Sequence, residues 1–163
     1  MKKILFILFL LLPIVAFGQR FPYSNSAHLG GNPEMITNGV FADSTGWVIN
    51  DAGNPIENGV FNFGGGYGVD LKQGENDIAI QITTSTNYRL KFTVGASSGD
   101  GPNITIKDNY NTETYVANTS YLDGEHTCDF TTPSTLSANC YGIKLYFLGD
   151  ASCTIDNISL KKR

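Results

Sequence analysis

Apolar and polar residues alternate in short runs along most of the chain. Ile78, Ile80 and Ile82 alternate with Ala79, Gln81 and Thr83. Tyr88, Leu90, Phe92 and Val94 alternate with Arg89, Lys91 and Thr93. A period of two places successive side chains on opposite faces, so each run predicts a half-buried strand. The strongest expectation is a strand over Asp77–Thr83, joined to the next through a hairpin turn at Thr84-Ser85-Thr86-Asn87. Ile104 and Ile106, and later Ile143, Leu145 and Phe147, alternate with polar or amphipathic neighbours in the same way. Weaker strands are expected near Gly46–Ile49, Ile56–Phe63, Gly68–Leu71, Glu113–Asn118, Glu125–Thr131 and Cys153–Leu160. No stretch of ten residues carries a helical period. About ten strands, each apolar on one face, predict an all-β fold: a two-sheet antiparallel β-sandwich of the jelly-roll kind.

The N-terminus departs from this pattern. Lys2 and Lys3 precede an unbroken apolar run from Ile4 to Leu12, and Ala16 and Gly18 provide small residues before Gln19. Residues 1–18 therefore read as a secretory signal peptide, too short in its apolar run for a spanning helix of about 20 residues. The expected locale is extracellular or at the cell surface, the periplasm included, with no membrane span after cleavage. Residues 19–33 lack periodicity and read as a flexible lead-in to a domain over 34–163. Cys128, Cys140 and Cys153 permit one disulfide and leave one thiol over; the sequence does not choose the pair.

Charge and composition narrow the function classes. The 163 residues are 41% hydrophobic and 16% charged, which excludes a disordered chain. Acids outnumber bases, 15 to 11, so no basic surface for nucleic acid is advertised. The chain has two histidines, no nucleophile-elbow or metalloprotease string, and no pair of carboxylates that stands out. The triplet Gly64-Gly65-Gly66 reads as a turn rather than a nucleotide loop. An enzyme is not expected.

Three weak motifs occur in order. Ile36-Thr37-Asn38-Gly39-Val40-Phe41 is followed by Gly46-Trp47; Gln81 precedes Tyr88-Arg89-Leu90-Lys91-Phe92; and Ile155-Asp156-Asn157-Ile158-Ser159-Leu160 lies near the end. Together they resemble the family 4/9/22 carbohydrate-binding modules, galactose-binding-like jelly rolls, over roughly residues 34–161. The resemblance implies that the first and last segments are neighbours closing the sandwich, with Trp47 a core anchor under the early loop. It also implies a structural calcium held by Asp156 and an early acid. Ala42 stands where the family places that acid, so Asp43 is the substitute.

The implied function is non-catalytic attachment to a polysaccharide or cell-surface glycan. Aromatic faces stack on sugar rings while planar polar groups bond hydroxyls. Gln81, Arg89 and Tyr146 have outward parity on their strands; Tyr67 and Tyr110 fall in loops; Tyr115 has ambiguous parity. These six are the candidate carbohydrate contacts. The alternative is a structural or adhesive subunit of a surface assembly, using the same jelly roll for protein contacts.

Overall fold

The computed structural model describes residues 32–73, 80–136 and 142–163. The expected signal peptide, most of the expected lead-in, Asp77–Ala79, Cys140 and Tyr141 lie outside them. Ten strands form: β1 (Trp47–Ile49), β2 (Ile56–Glu57), β3 (Val60–Phe63), β4 (Val69–Gln73), β5 (Asn87–Gly95), β6 (Asn103–Asp108), β7 (Thr114–Ser120), β8 (Gly124–Thr131), β9 (Ile143–Leu148) and β10 (Cys153–Lys162). They build two antiparallel five-stranded sheets, β1-β4-β9-β6-β7 and β2-β3-β10-β5-β8. No helix occurs among the described residues. The fold is the jelly-roll sandwich that the alternation predicts.

The core follows from strand parity. Val69 and Leu71 of β4, Ile104 and Ile106 of β6, and Ile143, Leu145 and Phe147 of β9 face inward from the first sheet. Phe61 and Phe63 of β3, Leu90, Phe92 and Val94 of β5, and Ile155, Ile158 and Leu160 of β10 meet them from the second. Each fully buried large side chain contributes roughly 1.5–3 kcal/mol against exposure. Phe147 packs between Phe61 and Phe63, with ring centroids 5.4 and 4.9 Å away. Trp47 is 7% exposed and lies against Phe41, with ring centroids 5.0 Å apart, so it is the expected core anchor.

Local sequence explains the turns. Asn58-Gly59 joins β2 to β3 with φ of 55° and 81°, the left-handed pair that a two-residue hairpin requires. Asn157, at φ 52°, lies where the β10 register shifts between Asp156 and Ser159.

The strand expected over Asp77–Thr83 does not form in its described part. Residues 80–83 are not hydrogen-bonded as a strand, and β5 pairs with β8 and β10 instead of forming a hairpin with them. This segment belongs to the connection from β4 in one sheet to β5 in the other. Ile80 and Ile82 still drop into the core, at 0% and 5% exposure, while Gln81 stays outside. The Thr83 N–H donates to the Tyr88 hydroxyl, 2.9 Å away. Alternation reports which side chains are buried; it does not report whether the backbone has a strand partner.

The two ends of the domain meet. The Ile158 N–H donates to the Gly39 carbonyl at 2.8 Å, and the Met35 N–H to the Leu160 carbonyl at 2.9 Å. Gln73, buried at the end of β4, clamps Thr37 twice: its Oε1 accepts from the Thr37 N–H at 2.9 Å and its Nε2 donates to the Thr37 carbonyl at 2.6 Å. A Cβ on Gly39 would overlap the Ile158 carbonyl oxygen. Gly39→Ala is therefore expected to destabilise the fold by about 1–3 kcal/mol, read by urea denaturation. Wild-type stability in that variant would contradict this docking of the first segment on β10.

Candidate functional site

Burial of Ile143, Leu145 and Phe147 forces Lys144, Tyr146 and Leu148 to the outer face of the first sheet. Strand register then assembles two rows across that face. Lys72 of β4 and Lys107 of β6 both stand directly opposite Lys144. One step along, Asp70 and Thr105 flank Tyr146. Among the described strand residues, Tyr146 is the aromatic side chain on an outer face.

Two ammonium groups lie near that ring. Lys107 Nζ is 4.9 Å and Lys144 Nζ 5.6 Å from the Tyr146 centroid, within cation–π range. Lys144 is hemmed in by its neighbours, its side chain only 1% exposed. Its ammonium pairs with Asp70, 3.2 Å from Oδ1 and 3.3 Å from Oδ2. Burial pushes the Lys144 pKa below the usual lysine range; Asp70 opposes this, while Lys72 and Lys107 add to it.

The loops bound the face. Gly68, at φ 80°, packs against Tyr146: a Cβ there would stand 3.3 Å from the hydroxyl. The Gly66 N–H donates to the Gly149 carbonyl at 2.8 Å and the Gly68 N–H to the Phe147 carbonyl at 3.1 Å. These bonds bring exposed Tyr67 to the Tyr146 end of the sheet. Asn50 holds the start of β4, donating to the Gly68 carbonyl and accepting from the Asp70 N–H, at 2.9 and 2.7 Å. Tyr110, also exposed, follows the opposite end of β6. The sheet between the two tyrosine loops is about 17 Å long, at ~3.3 Å per residue.

The remaining candidates do not join them. Arg89 is on β5, in the other sheet. Its guanidinium forms two 2.8 Å bonds to Asp129, which also takes Arg163 Nη1 at 2.7 Å. Gln81 is exposed on the connection between sheets. Tyr115 stacks on Phe130 at 5.0 Å and 8°, and Phe130 stacks on Tyr88 at 5.5 Å, so Tyr115 fills the core edge. Thus Tyr67 and Tyr146 share one end of one face, and Tyr110 bounds its other end. The lysine row was not legible as a site. Each lysine has visible outward parity, but only strand register aligns them.

Two depressions lie elsewhere, and neither presents an exposed ring. One of about 150 Å³ is lined by Lys91, Glu125, His126 and Asn157; one of about 290 Å³ by Asn62, Gly64, Ser152 and Cys153. Cys128 and Cys153 are unbridged thiols, and Cys140 lies outside the described residues. Burial pushes the Cys153 thiol up to about 12.

The two acids named for calcium each take part in a local turn. Asp43 Oδ1 accepts from the Thr45 N–H at 2.7 Å and from Asn38 Nδ2 at 3.1 Å. Asp156 accepts from the Asn157 N–H and side chain, at 2.6 and 3.2 Å. Both carboxylates thus brace local turns, and among the described residues no group of three or more acidic, His or Cys side chains lies together in a way that could hold a metal. Calcium needs six to eight oxygens. The thermal midpoint in calcium and in chelator tests the assignment: a rise of several degrees with calcium would support an ion held by Asp43 and Asp156, and equal midpoints would refute it.

The acid side of the stability curve should report Asp129. Its hydrogen bonds to Arg89 hold the carboxyl below its ordinary 3.8. A lowered folded-state value stabilises above the unfolded pKa and is lost as pH falls through the folded one. Asp129→Asn is expected to flatten that fall below about pH 4. An unchanged slope in pH-dependent denaturation would refute the coupling.

The chain matches no protein-family model and no curated protein. Among solved structures it is similar to a CBM4 module, at TM-score 0.52 and 15% identity, covering 78% of this chain and 99% of that one. The second N-terminal cellulose-binding domain of Cellulomonas fimi β-1,4-glucanase C aligns at TM-score 0.56 and 19% identity, covering 82% and 97%. The CBM22-1–GH10 modules of Clostridium thermocellum endo-1,4-β-D-xylanase 10B, complexed with xylohexaose, align at 0.51 and 12%, covering 81% of this chain but 29% of theirs. The described domain has the jelly-roll fold of the carbohydrate-binding modules.

Proposed function

We propose that the protein is an exported carbohydrate-binding module that holds a polysaccharide on the outer face of β1-β4-β9-β6-β7, without making or breaking a bond. The observation that carries this reading is Tyr146: a half-buried ring on the central strand of a sheet, flanked by polar side chains and facing away from the core. A pyranose stacked on it would remove apolar area from water, and Thr105, Asp70 and the lysines would meet its hydroxyls. Fold likeness to a cellulose-binding domain and to xylanase modules complexed with xylohexaose supports the ligand class. The second sheet's outer face offers less, because Arg89, Asp129 and Arg163 are already satisfied by one another.

Attachment without catalysis is the reading that the remaining groups support. His126 Nε2 is 2.6 Å from the Leu122 carbonyl, and its ring packs on Tyr121 and Phe92. The Cys153 thiol stays protonated at neutral pH.

Affinity electrophoresis through gels containing cellulose derivatives, xylan, laminarin or polygalacturonate tests the proposal. At least one polymer is expected to retard the protein. Tyr146→Ala should weaken that retardation about tenfold, roughly 1.4 kcal/mol, with unchanged circular dichroism. Retardation unaffected by Tyr146→Ala would move the site off this face. No retardation by any glycan in a folded protein would overturn the reading in favour of an adhesive or structural subunit.

A further inference from the structure

One short pattern occurs twice in the chain, as Ile36-Thr37-Asn38-Gly39-Val40-Phe41 and as Ile56-Glu57-Asn58-Gly59-Val60-Phe61, with a single difference between the two. Both asparagines take the left-handed conformation, at φ of 54° and 55°. An Asn-Gly pair is chemically labile, because glycine has no Cβ to shield its main-chain nitrogen from the side-chain amide before it. The local sequence is matched, so a difference in lability between the two pairs comes from the fold.

The fold treats them differently. Asn38 is locked at both ends of its amide. Its Oδ1 accepts from the Ala42 N–H at 2.8 Å, and its Nδ2 donates to the Asp43 carbonyl at 2.8 Å and to Asp43 Oδ1 at 3.1 Å. Its main-chain carbonyl accepts from Trp47 Nε1 at 3.0 Å, and the Gly39 carbonyl is held by the Ile158 N–H. Turning the side chain toward the Gly39 nitrogen would break its three bonds. Asn58 is exposed at the tip of the β2–β3 hairpin, and its side chain has no hydrogen-bond partner among the described residues. A Cβ placed on Gly59 would meet only the Val40 carbonyl oxygen, 4.0 Å away, so the tip is open.

We propose that Asn58 is a site of spontaneous covalent modification, deamidating through a cyclic imide, and that the fold protects Asn38 from the same reaction. The Gly59 nitrogen attacks Asn58 Cγ and gives up its proton, while the side-chain nitrogen leaves as ammonia and a succinimide closes. Water then opens the imide at either carbonyl, giving aspartate or isoaspartate. Nothing is oxidised or reduced; the sum is one water consumed and one ammonia released. Either product adds a negative charge at the hairpin tip. Isoaspartate also adds an atom to the main chain of a turn whose two-residue length sets the β2–β3 register. β2 is paired with β3 alone, whereas β3 is also paired with β10. The lengthened turn therefore loosens β2 and leaves the first sheet, with Tyr146, unchanged.

The test is peptide mapping by mass spectrometry of the folded protein aged in mildly alkaline buffer, with isoaspartyl methyltransferase labelling to distinguish the two products. Conversion of Asn58 is expected to outpace that of Asn38 at least about tenfold, since the bonds of Asn38 must break before its ring closes. In urea the two rates should converge, because the flanking residues are the same. Asn58→Gly, which still suits the turn, should abolish the reaction at the hairpin without loss of stability. Hydrogen exchange at Glu57 should quicken in the isoaspartyl form, while the amides of β9 keep their protection. Equal conversion of both asparagines in the folded protein would overturn the inference. So would an intact Asn58 in folded protein aged until the urea-unfolded chain has reacted, or a rate difference that persists in urea.

Discussion

Burial of Leu145 and Phe147 in β9 decides what the outer face of the first sheet can present. These residues are fully enclosed between the sheets, and Phe147 is gripped by Phe61 and Phe63. A one-residue slip of β9 would turn both into solvent, so its parity is strongly fixed. Lys144 and Tyr146 must then face outward. The same rule, applied to β4 and β6, places Lys72 and Lys107 beside them. The candidate site is therefore a consequence of core packing: inner-face hydrophobic contacts choose the register, and the register composes the outer face.

The rest of the architecture protects that arrangement. The first segment is laid against β10 by the Gly39–Ile158 bond and tied to the end of β4 by the two bonds between Gln73 and Thr37. At the other end of β4, Asn50 and Gly68 fix the entry of the strand and leave room for the Tyr146 ring. Held at both ends, β4 keeps Asp70 and Lys72 aligned with β9. The buried polar groups are thus spent on strand placement, whereas the charged groups of the first sheet's outer face are gathered around one ring.

Much of this was legible in the sequence, and the illegible part has a definite cause. The Ile-x-Ile and Leu-x-Phe runs announced a two-layer β fold, and the outward parity of Tyr146 was readable from Leu145 and Phe147. Trp47 was correctly placed in the core. Residues 80–83 misled because side chains can alternate between core and solvent on a segment that crosses between sheets with no strand partner. Arg89 and Tyr146 share outward parity but belong to opposite sheets, and parity carries no information about sheet membership. Tyr115 was ambiguous because β7 lies at an edge, where a ring can reach across to Phe130. The lysine row was hidden for the same reason as Arg89's separation: Lys72, Lys107 and Lys144 are far apart in sequence, and only the pairing of β4, β9 and β6 makes them neighbours.

The central claim is that the outer face of β1-β4-β9-β6-β7 is the ligand surface. Amide chemical-shift mapping during titration with an oligosaccharide of the polymer that retards the protein most measures this directly. The account predicts shifts confined to Asp70–Lys72, Thr105–Lys107 and Lys144–Leu148, together with the Tyr67 loop. Shifts centred on Lys91, Glu125, Thr127 and Asn157 would place the ligand on the opposite sheet and contradict it.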